Sequence, residues 1–139
     1  MPRLACWFVR AALVDLLAAF TVGALLLADK GVGGRGAVWA LFPAHVELAL
    51  VGWVIQLAMG VAFWVLPRLA GGTSRGPEGP VWAAFWLLNG GVLLAITGSL
   101  TGGGPAGLAR LAGRGAELAA VAAFAVHAWP RVRAAASGV

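Results

Sequence analysis

The chain is short of charge, of sulfur and of histidine. Asp, Glu, Lys and Arg make up 11% of its 139 residues, against about 25% in soluble domains. Cys6 is the single cysteine, so no intrachain disulfide can form. No C-x-x-C-H run is present, which excludes covalent c-type haem attachment by that route. The GVGGRG run at 31–36 lies between two apolar stretches and reads as a turn, not as a nucleotide-binding loop after a strand. The net charge is +5. Its basic residues are dispersed around the ends of apolar runs instead of gathered on one face, which argues against a nucleic-acid partner.

What the chain has is apolar length. AVILMFWYC residues make up 61% of it, and the mean hydropathy is +0.91. A soluble domain of this size could not hide so much apolar surface, so lipid is its natural solvent. Small residues suit close packing of membrane helices, and 21 glycines are present. A span needs about 20 mostly apolar residues. The pattern predicts an all-α, single-domain integral membrane four-helix bundle with helices at 5–28, 42–66, 81–100 and 106–129. The fourth is the weakest, because Arg110, Arg114 and Glu117 interrupt its first half. Gly- and Pro-rich segments at 29–36, 68–80 and 101–105 separate the spans. Pro43 and Pro105 suit first helical turns, and Pro67 and Pro130 are expected to help stop helices two and four.

Four spans put both termini on one side. That side carries Arg3, Arg10, Arg68, Arg75, Arg131 and Arg133, six against the four of Lys30, Arg35, Arg110 and Arg114. The bias predicts cytoplasmic termini in a bacterial-type cytoplasmic membrane, with the surplus charge also favouring anionic lipid. Arg10 and Asp15 interrupt the first apolar run and no clean A-x-A site follows it, so this run is kept as a helix and not a cleaved signal.

Polar groups inside a membrane are costly and usually face a site or a neighbouring helix. Helical periodicity groups His45, Ala49, Gly52, Gln56, Met59, Gly60 and Phe63 on one stripe. Leu50, Trp53, Val54, Leu57, Val61 and Trp64 lie opposite, toward lipid. Small residues beneath His45 leave room for a flat group beside the helix, and imidazole is a natural axial ligand of haem iron. A histidine bonded to a neighbouring helix, with the glycines serving close packing, fits the same stripe.

The run 45–68 resembles the second helix of the haem-copper oxidase subunit I superfamily. Its pattern, H-x6-G-W-x6-G-V-A-[aromatic]-x2-L-P-R from His45 to Arg68, is similar to helices in nitric oxide reductases and C-type oxidases. The resemblance implies that His45 ligates a low-spin haem b near the outer end of the helix, which would make His45 the metal ligand. It is confined to that run. The family's catalytic subunit has many more helices, and its copper-site histidines have no counterparts here, so a stand-alone oxidase is not expected.

His127 is the only other histidine. At 1.5 Å per residue its depth differs from that of His45 by about 28 Å, and Met59 lies about 21 Å below His45, so neither can complete the same haem. A sixth ligand would come from a second copy in a homodimer or larger homo-oligomer, or from another subunit of a respiratory complex. Haem propionates need cationic or donor partners. Arg110 and Arg114 lie near the depth of His45, and Arg35 and Trp39 lie on the same side; lipid headgroups are the other destination for these arginines. The cofactor-binding set is therefore His45, Gly52, Arg110, Arg114 and Trp39. Glu117, three residues after Arg114, is expected to pair with it. Asp15, Gln56 and Asn89 share one depth zone and suggest a hydrogen-bond network or a proton path. His127 reads as an interfacial residue beside Trp129 and Arg131. A Trp–Pro–Arg signature near the ends of helices two and four hints at repeated hairpins, although such residues also recur at any membrane interface.

Three functions compete. The first is a haem-b protein acting in electron transfer or in haem or gas sensing. The second is a non-catalytic helical subunit packed in a respiratory membrane complex. The third is a small dimeric transporter that uses Asp15 as its coupling carboxylate.

Overall fold

A computed structural model describes residues 1–33, 36–68, 75–101 and 104–136. These residues form helices and no strands. Helix α1 is Arg3–Gly31, α2 is Val38–Val65, α3 is Gly79–Leu100 and α4 is Gly104–Ala136. Three of them, α1, α2 and α3, are long and apolar enough to cross a membrane.

The helix ends follow local chemistry. Gly33, at φ 65°, takes the left-handed conformation that turns the chain after α1. Helix α2 stops at Leu66, whose ψ of 139° is the extended geometry imposed on a residue before proline. Pro80 sits in the first turn of α3, where a missing N–H costs nothing. Pro130 departs from expectation. It was expected to help end the fourth helix, but α4 runs through it to Ala136. The next residue, Arg131, is held by the end of α2, and that anchorage keeps the following turn helical despite the lost bond.

Helices α1 and α2 form an antiparallel hairpin whose register is set by glycines. Added Cβ atoms at Gly60, Gly52 and Gly23 would lie 2.7, 2.8 and 2.9 Å from Phe8, Asp15 and His45. Each glycine thus faces a side chain of the other helix. The pairs 8/60, 15/52 and 23/45 keep one register along the whole contact. Helices α3 and α4 approach more closely, backbone on backbone. A Cβ at Gly98 would lie 2.6 Å from the Arg110 nitrogen, and one at Gly113 would lie 2.6 Å from the Ala95 nitrogen. Only small residues permit this approach.

Within α2, Leu48–Ile55 is π-helical, between α-helical Phe42–Glu47 and Gln56–Val65. The i→i+5 pattern adds residues to the turn and shifts the phase of the helix. The buried stripe therefore reads Ala44, Glu47, Gly52, Gln56, Met59, Gly60, Phe63. The uniform-period stripe put His45 in place of Glu47, and this is the physical reason for the difference. The main apolar core gathers Leu4, Phe8, Met59, Phe63, Phe85 and Leu88 near the Pro67 end of α2. Phe8 and Phe85 meet edge to face at 5.1 Å. His45 lies toward the opposite end, where α1 and α2 leave a groove between them.

Candidate functional site

His45 is half-buried against α1. Its Nδ1 lies 2.9 Å from the Ala19 carbonyl oxygen. A carbonyl only accepts, so Nδ1 carries the hydrogen and donates it. Nε2 is then the ring's free lone pair. The ring lies over Gly23, whose missing side chain makes room for it. A backbone carbonyl holding one ring nitrogen is a common way to orient a histidine that ligates a metal through the other.

His45 forms part of the wall of a groove of about 540 Å³ between α1 and α2. Leu16, Phe20, Leu27, Phe42 and Trp53 supply most of the bulk, and Ala19, Gly23 and Ala24 give width. The remaining lining residues are also apolar, so among the described residues His45 is the only ligating side chain in it. Among the described residues, no three His, Cys, Asp or Glu side chains cluster as a metal cage. The groove thus offers an oriented imidazole on an apolar wall, a donor set that fits a flat macrocycle carrying its own equatorial ligands.

The other expected partners separate. Trp39 lines the groove and stacks obliquely near Phe42, with ring centroids 6.0 Å apart. Gly52 does not line it. Its open face is filled by Asp15, so the small residues beside His45 are Ala49 of α2 and Ala19, Gly23 and Ala24 of α1. Arg114 does not line it either. Its guanidinium forks onto Glu47 at 2.6 and 2.8 Å and reaches Glu117 at 3.0 Å. The expected Arg114–Glu117 pair is present, and Glu47 claims the rest of the cation. Arg110 is exposed on α4 and lies away from the groove. Arg35 lies outside the described residues.

Glu47 carries no role in the reading of the sequence. It is 4% exposed and ties α2 to α4. Depth counting along the helices brings Glu47 and Arg114 close; the π segment that turns Glu47 inward could not be read from an ideal period. The expected polar layer forms only in part. Gln56 donates to Asn89 at 3.4 Å, and Asn89 donates to the Phe85 carbonyl at 2.8 Å. Asp15 instead packs on Gly52, and among the described residues no hydrogen bond joins it to that pair.

At the far end His127 is buried, with its ring 5.7 Å from that of Phe63. Arg131 is 1% exposed. It donates to the carbonyls of Pro67 at 2.9 Å, Phe63 at 3.1 Å and Leu66. These carbonyls, at the end of α2 and just beyond it, lack intrahelical partners. Sequence counting saw only the charge of Arg131. Compared with family models, curated proteins and solved structures, the chain matches none of them.

Proposed function

We propose that the chain is a membrane haem-b protein with His45 as axial ligand, acting in electron transfer or in haem or gas sensing. The observation that supports this reading is the state of His45. Its Nδ1 is committed to Ala19 while Nε2 is left free beside an apolar groove. The resemblance of residues 45–68 to an oxidase haem helix points to the same residue. When bound, haem supplies one-electron exchange or a site for a small gas molecule.

The chain's own residues would do the rest. Ala19 and Gly23 orient the imidazole. Phe20, Phe42 and Trp53 exclude water from the groove. Lys30 lies on the helical face of Leu26 and Leu27, which line the groove, and is a cation suited to a propionate. Among the described residues no second ligand lines the groove, so a sixth ligand would come from a second copy, as in a homodimer. In this reading α4 completes a four-helix bundle and both termini are cytoplasmic, in a bacterial-type membrane, as the basic residues favour. The transporter reading has less support, because Asp15 is packed on Gly52 and does not line the groove.

The test is an absorption spectrum of the detergent-purified protein, oxidised and then reduced with dithionite. A Soret band that disappears in His45→Ala is the expected result, and sharp reduced α and β bands would add a sixth ligand. A colourless wild type that takes up no added haem would sink the reading and favour a packing subunit of a larger complex.

A further inference from the structure

The end of the molecule remote from His45 holds a second site, and it does not rest on the haem reading. A pocket of about 200 Å³ lies between the Arg75–Pro80 approach to α3 and the Val126–Pro130 stretch of α4. Arg75 and His127 form part of its wall. Arg131 follows the lining residue Pro130, and its charge is felt at both Arg75 and His127.

Among the described residues, three polar atoms in this cluster are buried without a hydrogen-bond partner, Arg75 Nε, His127 Nε2 and Arg131 Nη1, and the His127 ring also lies against the Pro77 backbone. His127 is 9% exposed and Arg131 is 1% exposed. Guanidinium nitrogens can only donate, so what two of these atoms lack is an acceptor. Buried cationic donors are costly unless an anion meets them. Glu78 lies close enough to act on His127. Among the described residues, however, neither Arg75 nor Arg131 forms a salt bridge with it. Among the described residues, Arg75 and Arg131 thus meet no carboxylate, and Arg131 spends its other nitrogens on the carbonyls at the end of α2.

Position narrows the ligand. The pocket sits where α2 has ended at Leu66 and α3 begins at Gly79. Ends of apolar helices lie at the level of lipid headgroups, and basic pockets between membrane helices suit headgroup phosphates. We propose that this pocket binds a phosphate group. Arg75 donates to its oxygens, His127 Nε2 completes the contact, and Arg131, behind the lining residue Pro130, adds its charge. The phosphate belongs either to the headgroup of an anionic phospholipid or to a free phosphate ion.

The test uses the full chain, delipidated in detergent, with two probes. Phosphatidylglycerol binding is followed by native mass spectrometry and inorganic phosphate binding by calorimetry. Arg75→Gln is expected to weaken binding about tenfold, the loss of one charge-assisted hydrogen bond. His127→Phe should weaken it in the same direction. Circular dichroism checks that both variants stay folded, and Arg131 is left intact because it also holds the end of α2. Variant-sensitive binding of phosphatidylglycerol assigns the lipid headgroup; variant-sensitive binding of phosphate alone assigns the free ion. If the wild type binds neither probe, or both variants bind as the wild type does, the proposal is overturned.

Discussion

At the scale of single residues, two side chains carry more than their type announces. Arg131 counts in the sequence as one of several basic anchors. In the fold it donates to the carbonyls of Phe63, Leu66 and Pro67, with its guanidinium 5.4 Å from the Phe63 ring centre. Those carbonyls have no helical partner. Arg131→Leu is expected to lower stability by about 2–4 kcal/mol, since hydrogen bonds to charged groups are each worth about 1.5–3 kcal/mol. Arg131→Lys should recover only part of this, because a compact ammonium cannot fork across several carbonyls. Unfolding in detergent, by heat or by added SDS, measures both; a wild-type midpoint for Arg131→Leu would remove the capping role. His45 was legible as a candidate because histidine is rare in this chain. Its orientation was not, because the Ala19 carbonyl that turns the ring belongs to another helix.

At the scale of elements, the four helices could be read, three of them because they have the continuous apolar length that a membrane span needs. Their ends moved by a few residues, except at Pro130, where a tertiary anchor outweighed a local breaker. The π-helical stretch Leu48–Ile55 was hidden because no local residue pattern announces it. Asp15 occupies the space over Gly52 at its centre, a contact made between helices. Glycine content suggested close packing without saying which glycines matter. Gly98 and Gly90 separate the cases. A Cβ at Gly98 would lie 2.6 Å from a backbone nitrogen of α4, whereas one at Gly90 meets nothing within 4 Å. Gly98→Ala should cost about 1–3 kcal/mol by overpacking. Gly90→Ala should be neutral or stabilise by up to about 1 kcal/mol, as alanine favours helix. Matched unfolding curves of the two variants decide it, and equal midpoints would mean that α3 and α4 can separate without loss.

At the scale of the whole molecule, two hairpins are joined by polar ties at different depths: Glu47 with Arg114, Gln56 with Asn89, and Arg131 with the end of α2. The first tie joins a buried carboxylate to an arginine side chain that is 52% exposed, so solvent screens part of its energy. Arg114→Met is expected to cost about 1–3 kcal/mol, mostly from leaving Glu47 buried without its cation. Adding Glu47→Leu should return part of that loss, because the stranded charge is then gone. A double-mutant cycle in detergent measures the coupling, and strictly additive losses would show that the tie contributes nothing between the hairpins. The sequence by itself determined the helical class, the approximate apolar stretches and the identity of the rare polar residues. These depend on composition and on apolar length, which are local properties. Tertiary structure alone decided which polar residues meet. It oriented His45 through Ala19, paired Arg114 with Glu47, filled Gly52 with Asp15 and brought Arg75 and His127 to one pocket. Azimuth around a helix and pairing between helices follow from backbone phase and packing, and a one-dimensional period cannot carry either.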